Sequence, residues 1–252
     1  MFNQLTAAAA PAAGQNPYGL VEALEQGGVI SITIFIILVG MSVFSFFILF
    51  TKLLEQQKVI SQGKKVGPTF WRAATLKEGA AKLEKNSAYK QLVDDGMLAQ
   101  EQHTKLTNPV EAHDWLHGAL ARSEAGINSS LNGGLAFLAT VGATSPFIGL
   151  MGTVIGIYRA LIKIGASGQA SIDAVAGPVG ESLIMTALGL AVAVPAVLAY
   201  NWLQRRNKAI AEDLNGFNND LLGYLVSNGA VRPQIAAAPA AAAPAKPAAA
   251  KA

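Results

Sequence analysis

Residues 177–201 read GPVGESLIMTALGLAVAVPAVLAYN, and their only charged side chain is the carboxylate of Glu181. The otherwise uncharged run around them extends over residues 174–204, which exceeds the roughly 20 residues that a helix needs to cross a bilayer. An ionised side chain in lipid costs at least about 2.5–3.5 kcal/mol on insertion scales. A bound proton, a buried partner or a water-filled lumen would offset this cost. The position therefore indicates either a proton relay or a structural Glu that hydrogen-bonds a neighbouring helix.

Two further uncharged runs lie between Glu25 and Lys52 and between Glu124 and Arg159. Each run is long enough to cross a bilayer once. Of the 252 residues, 52% are hydrophobic and only 14% are charged, whereas about 25% are charged in a typical soluble domain. We therefore predict an all-α integral membrane protein, with three transmembrane helices that extend into a cytoplasmic helical region.

Lys and Arg are distributed unevenly between these runs. Residues 1–25 contain none, residues 52–124 contain eleven, residues 159–173 contain two and residues 205–252 contain six. Because cytoplasmic segments carry the excess of Lys and Arg, we predict an external N-terminus and a cytoplasmic C-terminus. The predicted segments are an external N-terminal segment at 1–25, transmembrane helix 1 at 26–51, a cytoplasmic helical domain at 52–124, transmembrane helix 2 at 125–158, an external loop at 159–173, transmembrane helix 3 at 174–204, a cytoplasmic helix at 205–235 and a disordered Ala/Pro tail at 236–252.

Several classes of chemistry lack their usual residues. The chain has no cysteine, which excludes disulfides and thiol catalysis. It contains no GxxxxGK[ST] loop and no GxSxG motif, so we expect no enzyme activity and no cofactor. His113 and His117 have the i, i+4 spacing of a metal pair, but the spacing alone favours a solvated helix face. Positive charge is not concentrated in one patch, so we expect no nucleic-acid partner.

The second run contains TSPFIGLMGTVIGIY at residues 144–158. Its Gly149, Gly152 and Gly156 have the small-residue spacing that lets membrane helices approach closely. We therefore predict that they serve helix packing. Thr153 adds a hydroxyl, although a Thr in a membrane helix usually bonds its own backbone.

Two motifs carry a resemblance to a known family. GLMGTVIGIYRAL at 149–161, followed by the stretch at 177–201, resembles the ExbB/TolQ/MotA proton-channel family over roughly residues 25–230. MotA-type members have a fourth span that this chain lacks. The sequence GPVGESLIMTALGL at 177–190 and the Ala/Pro-rich ends are more similar to the ExbB branch than to the TolQ branch. Ile155 stands where many members carry an aromatic residue.

The resemblance implies a homopentamer in the bacterial inner membrane, with periplasmic external segments. The second and third helices would line a lumen that holds transmembrane helices of ExbD. The proton gradient would then energise TonB for uptake across the outer membrane, for example of iron–siderophore complexes and vitamin B12. By their positions in the family motifs, Glu181, Thr153 and Thr186 would form the proton pathway.

Two other functions fit the same residues. A TolQ-type subunit would power the Tol-Pal system, and a passive membrane scaffold would use Glu181 only as a structural group. Basic residues near the predicted membrane boundaries suit either lipid-headgroup binding or topology; they are Lys52, Lys64, Lys65, Arg205 and Arg206.

Overall fold

The computed structural model describes residues 20–107, 111–167 and 172–233, excluding the side chains of 20–27, 167, 172–176 and 181. These residues form six helices and no strand. The helices are α1 (Leu20–Phe70), α2 (Leu76–Ala81), α3 (Ala88–His103), α4 (Ala112–Asn132), α5 (Leu135–Ser167) and α6 (Ile172–Val226). The predictions for residues 1–19 and for the tail at 236–252 lie outside the described residues.

Three stretches are long and apolar enough to cross a membrane: Gly28–Phe70, Ala112–Ala166 and Gly177–Val226. The prediction of an all-α protein with three candidate membrane-spanning helices is therefore confirmed. Within α1 the backbone is non-helical at Gly28, where φ is 61°. L residues rarely adopt this region, whereas glycine does so at no steric cost.

The chain divides into two compact units. One consists of Met1–Thr51 and Gly134–Leu203, and we call it the apolar unit. The other consists of Lys52–Gly133 and Gln204–Ala252, and we call it the charged unit because it holds seventeen of the nineteen Lys and Arg residues. The membrane boundaries themselves stay predictions.

The boundary between α4 and α5 lies inside the predicted second span. Helix α4 ends at Asn132, and the next helix begins at Leu135. Gly134 has φ 82°, a conformation that ends a right-handed helix and favours glycine. The predicted span of 125–158 therefore combines the last part of α4 with most of α5.

Residues 159–167, the first part of the predicted external loop at 159–173, are helical. They continue α5 to Ser167, and α6 begins at Ile172. The sequence RALIKIGA at 159–166 contains no proline and mostly good helix formers. The helix therefore continues past the first charged residue, which marks a change in polarity but does not end a helix.

The core of the charged unit forms from amphipathic helices. In α4 the buried residues recur every three or four positions, which is the period of one helix face. They are Leu116, Leu120, Ser123, Ile127 and Leu131. Helix α3 begins at an N-cap, where the Ser87 hydroxyl accepts a hydrogen bond from the Lys90 amide at 3.0 Å. Together with residues of α1 and α6, these faces make one continuous hydrophobic core.

A buried amide network joins three helices of the charged unit. The side-chain Nδ2 of Asn207 in α6 donates to the Leu131 carbonyl at 3.1 Å and to Oδ1 of Asn132 at 2.9 Å. Its Oδ1 accepts from Nε2 of Gln56 in α1 at 2.6 Å. Because buried amides are costly unless they are hydrogen-bonded, this network specifies how α1, α4 and α6 align.

Candidate functional site

Helices α5 and α6 of the apolar unit touch through their backbones. A Cβ atom added to Gly149 would lie 2.7 Å from the carbonyl oxygen of Met185, and one added to Gly189 would lie 2.6 Å from that of Ser145. Real Cβ atoms essentially never approach other atoms so closely. Glycine is therefore required on both sides of this crossing. Such close approach is how helices gain van der Waals attraction in lipid.

The contact continues along both helices. A Cβ atom on Gly152 would lie 2.8 Å from Cβ of Met185, and one on Gly156 would lie 2.9 Å from Cβ of Ser182. The structure thus brings Gly149, Gly152 and Gly156 to one face, the face that α5 turns toward α6. Their role in helix packing remains a functional prediction, but their geometry favours it.

Two further glycines, Gly142 and Gly189, belong to this contact in addition to the three predicted ones. A Cβ atom on Gly142 would meet the side chain of Val197, and Gly189 forms the α6 side of the crossing. Gly142, Gly149 and Gly156 recur every seven residues, as expected for helices that cross at about 20°. This seven-residue spacing is the sequence feature that could have identified Gly142. No comparable feature identifies Gly189, because many small residues surround it in the sequence.

Most hydroxyls in this region bond their own helix. Thr153 is 8% exposed, and its Oγ1 donates to the Leu150 carbonyl at 2.7 Å. The Ser145 hydroxyl donates to Val141 at 2.7 Å, and the Ser182 hydroxyl donates to Val179 at 2.8 Å. Each of these oxygens keeps lone pairs that can accept a further hydrogen bond.

Thr186 differs from these residues. Its Oγ1 is buried and has no hydrogen-bond partner among the described residues. Its Cα lies 3.2 Å from the position of a Cβ on Gly149, so Thr186 lies at the crossing of α5 and α6. A buried hydroxyl without a partner costs about 1–3 kcal/mol. This oxygen is therefore available to a group outside the described residues, such as a water molecule or an acid.

The backbone of Glu181 lies within α6, one residue before the buried Ser182. Its side chain lies outside the described residues. The structure accordingly places Thr186 and the three glycines at one crossing. The joint role of Glu181, Thr153 and Thr186 stays a prediction.

The surfaces of α5 and α6 away from this crossing are strongly apolar. On α5, Leu150, Val154 and Leu161 are more than half exposed. On α6, Leu183 and Leu198 are each 64% exposed. An apolar surface of this extent requires lipid or further protein chains to cover it.

The histidine pair is stacked. The rings of His113 and His117 in α4 are nearly parallel, with centroids 6.1 Å apart. Nδ1 of His113 lies 3.2 Å from Oδ1 of Asp114. Among the described residues, no group of three or more His, Cys, Asp or Glu side chains is arranged to hold a metal ion.

Comparison with known proteins relates the chain to membrane channel subunits. The model of the MotA/TolQ/ExbB proton channel family matches residues 84–215. The biopolymer transport protein ExbB of Xanthomonas campestris pv. campestris (strain B100) is 36% identical over 213 residues, which cover 81% of this chain and 84% of that protein. The protein of the same name from Neisseria gonorrhoeae is 49% identical over 122 residues, which cover 48% of this chain and 56% of that protein.

The TolQ branch is also represented. The Tol-Pal system protein TolQ of Haemophilus influenzae (strain ATCC 51907 / DSM 11121 / KW20 / Rd) is 30% identical over 207 residues, covering 76% of this chain and 87% of that protein. The family match covers more than half of the chain and includes the whole α5–α6 crossing. The chain, with its three apolar helices, therefore belongs to the MotA/TolQ/ExbB proton channel family.

Proposed function

We propose that this chain is the ring-forming subunit of a proton channel in the bacterial inner membrane, and that with ExbD it energises TonB. The proteins named ExbB at 36% and 49% identity support this branch of the family. In the proposed assembly five copies form a ring, and ExbD helices occupy its lumen. The N-terminus is periplasmic and the C-terminus cytoplasmic, following the distribution of Lys and Arg.

The observation that carries the proposal is the composition of the apolar part of α6, residues 174–204. It contains the single acid of the third uncharged run, Glu181, and the buried hydroxyl of Thr186, which has no partner among the described residues. A helix that served only to pack would gain stability by losing both groups. Their presence therefore favours a role in moving protons.

The mechanism follows from the energetics of charge in a membrane. A ring would bring one Glu181 from each subunit around a lumen and away from lipid. Protonation makes the side chain neutral, and release of the proton makes it an anion. Moving one charge through the field yields about 2.3 kcal/mol per 100 mV. Thr186 and Thr153 would offer hydroxyl oxygens to the proton, to water or to an acid of ExbD. Energised TonB would then drive uptake through outer-membrane receptors, including uptake of iron–siderophore complexes and vitamin B12.

Glu181→Gln tests the acid, because the amide keeps the shape and polarity but cannot ionise. Glu212→Gln, on an exposed position of the same helix, is the matched control. Cells that rely on the variant chain are grown with siderophore-bound iron as the only iron source, and membrane level and oligomer mass are measured in parallel. We expect loss of growth only for Glu181→Gln. Normal growth with a normally assembled Glu181→Gln chain would refute the proposed role.

Thr186→Val provides a second test, because it removes the hydroxyl and preserves the side-chain shape. A purely structural Thr186 predicts a more stable and fully active variant, because a buried hydroxyl without a partner disappears. The pathway proposal predicts reduced proton flux in liposomes without loss of thermal stability. Thr186→Ser, which restores a hydroxyl, should recover most of the flux.

TolQ-type function is the second candidate, favoured by the similarity to the Haemophilus influenzae protein over 76% of this chain. In that case the chain would power the Tol-Pal system. Expression in cells that lack either subunit separates the two: rescue of iron uptake supports the first function, and rescue of detergent resistance supports the second. A passive scaffold would show neither a Glu181 effect nor proton flux.

A further inference from the structure

A groove of about 320 Å³ lies in the charged unit between α1 and α6, with Tyr89 of α3 among its lining residues. It is remote in sequence from the proposed proton pathway. Three aromatic side chains line it, and two glycines of α1, Gly63 and Gly67, form part of its wall. The aromatic residues are Trp71, Tyr89 and Phe217.

Tyr89 contributes a hydroxyl to the aromatic part of this lining. The residue is only 3% exposed, yet its hydroxyl makes no hydrogen bond with any described residue. A Cβ atom on Gly63 would collide with this hydroxyl, so the hydroxyl packs against α1 at a position where only glycine leaves room for it. Burial, and to a lesser extent the charge of Asp213, raises the pKa of Tyr89 to about 12. The hydroxyl is therefore a neutral donor at physiological pH.

The groove also carries net negative charge. Asp213 and Asp220 of α6 line it, together with one basic residue, Lys64. Both carboxylates are exposed, and neither forms an ion pair with a described residue. Seven residues separate them, so they lie about two turns apart on nearly the same side of α6. Aromatic faces with nearby carboxylates suit a cationic group.

The chain leaves α6 beside this groove. The guanidinium of Arg232 donates to the carbonyls of Ala73 at 3.1 Å and Ala74 at 2.8 Å. It also lies 5.7 Å from the ring centroid of Tyr224. The small cleft around Arg232 shares Trp71 with the groove. Arg232 therefore lies in a cleft that adjoins the groove at Trp71, and the residues after Arg232 continue from that cleft.

The sequence beyond the described residues has the complementary chemistry. Residues 234–252 read QIAAAPAAAAPAKPAAAKA, with two lysines and no acid. Pro244 and Pro247 form a Pro-x-x-Pro motif with Lys246 inside it. Such motifs favour the polyproline II helix, whose free carbonyls and prolines dock on aromatic grooves with hydrogen-bond donors.

We propose that this groove binds the chain's own segment 244–247, Pro-Ala-Lys-Pro, with the Lys246 ammonium between Asp213 and Asp220 and a segment carbonyl accepting from the Tyr89 hydroxyl. The eleven residues between Arg232 and this segment give a flexible connection an r.m.s. span of about 17–20 Å. A connection of this length corresponds to an effective concentration on the order of millimolar. Even weak docking would therefore occupy the groove.

The native chain has no cysteine, which permits a clean distance measurement. Cysteines introduced as Lys65→Cys, exposed on α1 beside the groove, and Ala248→Cys, just after the segment, are spin-labelled in the full chain in nanodiscs. We expect a narrow short-distance population. It should disappear in Asp213→Asn/Asp220→Asn, in Lys246→Ala and at 1 M salt, where the screening length falls to about 3 Å.

A steric variant tests the groove without changing its charge. A Cβ on Gly67 meets nothing within 4 Å, so Gly67→Leu should fill the groove and abolish the short-distance population without unfolding the unit. Gly216→Leu, whose Cβ is equally free on α6 but which does not line the groove, is the control and should keep it.

Three results would overturn the proposal. A broad distance distribution that is equal in all variants would show that the segment does not dock, leaving the groove to another occupant. A short distance that survives in the double Asp variant would place the segment elsewhere. A signal that falls as labelled chains are diluted with unlabelled chains would assign the occupant to a second copy.

Discussion

Replacement of the glycines at the α5–α6 crossing should separate the two helices of the apolar unit. In Gly149→Ala the new methyl group would lie 2.7 Å from a carbonyl oxygen of α6, and in Gly189→Ala it would lie 2.6 Å from one of α5. In both cases the nearest atom belongs to backbone and cannot rotate away. The helices must therefore move apart by several tenths of an ångström at least.

The magnitude follows from the cost of overpacking. Forced insertion of a methyl group into a well-packed contact costs about 1–3 kcal/mol. For a chain of this size each kcal/mol lowers the melting temperature by about 2–4 °C, so each variant should melt about 2–12 °C lower. Gly40→Ala in α1 is the control, because its Cβ would meet nothing within 4 Å. It should melt at the wild-type temperature or slightly higher, since Ala favours a helix more than Gly does.

A double substitution sharpens the test. Once Gly149→Ala has separated the helices, Gly189→Ala meets a wider gap, so the double variant should lose less stability than the sum of the two single variants. Thermal unfolding in one detergent, followed by circular dichroism, measures the wild-type chain and the four variants. Melting temperatures for both single variants equal to that of Gly40→Ala would refute the backbone contact. If the two stability losses add strictly in the double variant, Gly149 and Gly189 do not share one contact.

Two further predictions concern the charged unit. Asn207→Ala should lower the free energy of unfolding of this unit by about 1–3 kcal/mol, because the Gln56 amide and the Leu131 carbonyl each lose a hydrogen bond to Asn207. Denaturant unfolding measures this free energy. The control Asn219→Ala, at an exposed position, should change it little. For Tyr89, whose pKa is about 12 in the folded chain and about 10 otherwise, the stabilising effect is complete below pH 10 and declines as pH rises toward 12. Ultraviolet titration should show one tyrosine ionising late. Asp213→Asn should lower the pKa of Tyr89, because the nearby negative charge is removed. An unchanged titration midpoint would contradict the contribution of the Asp213 charge.

The sequence was sufficient for those parts of the molecule that depend on composition and period. Apolar runs located the three candidate spans, because a bilayer requires a minimum number of apolar residues whatever the tertiary contacts. The buried residues of α4 likewise follow the helical period, a property of the segment itself. Ends of helices were less predictable: α5 continued past Arg159, because a charge at the membrane edge does not oppose helix formation.

The site was only partly predictable for a physical reason that Thr153 and Thr186 illustrate. Both are threonines in apolar helices, and their sequence contexts do not distinguish them. Thr153 donates to its own helix, whereas the buried hydroxyl of Thr186 has no partner among the described residues. The difference depends on which side-chain rotamer of each threonine the neighbouring helix permits. Local sequence does not encode that contact.

The sequence by itself determined the membrane class, the three apolar runs, the charge distribution and the motifs that mark the family. Only the tertiary structure decided that Gly149 faces Gly189, that Asn207 joins three helices and that Tyr89 lines a groove. Hydrophobicity and helical period are properties of one segment, so they can be read along the chain. Partners across helices depend on the relative rotation and displacement of segments that are distant in sequence, and many such arrangements satisfy the same pattern of apolar residues.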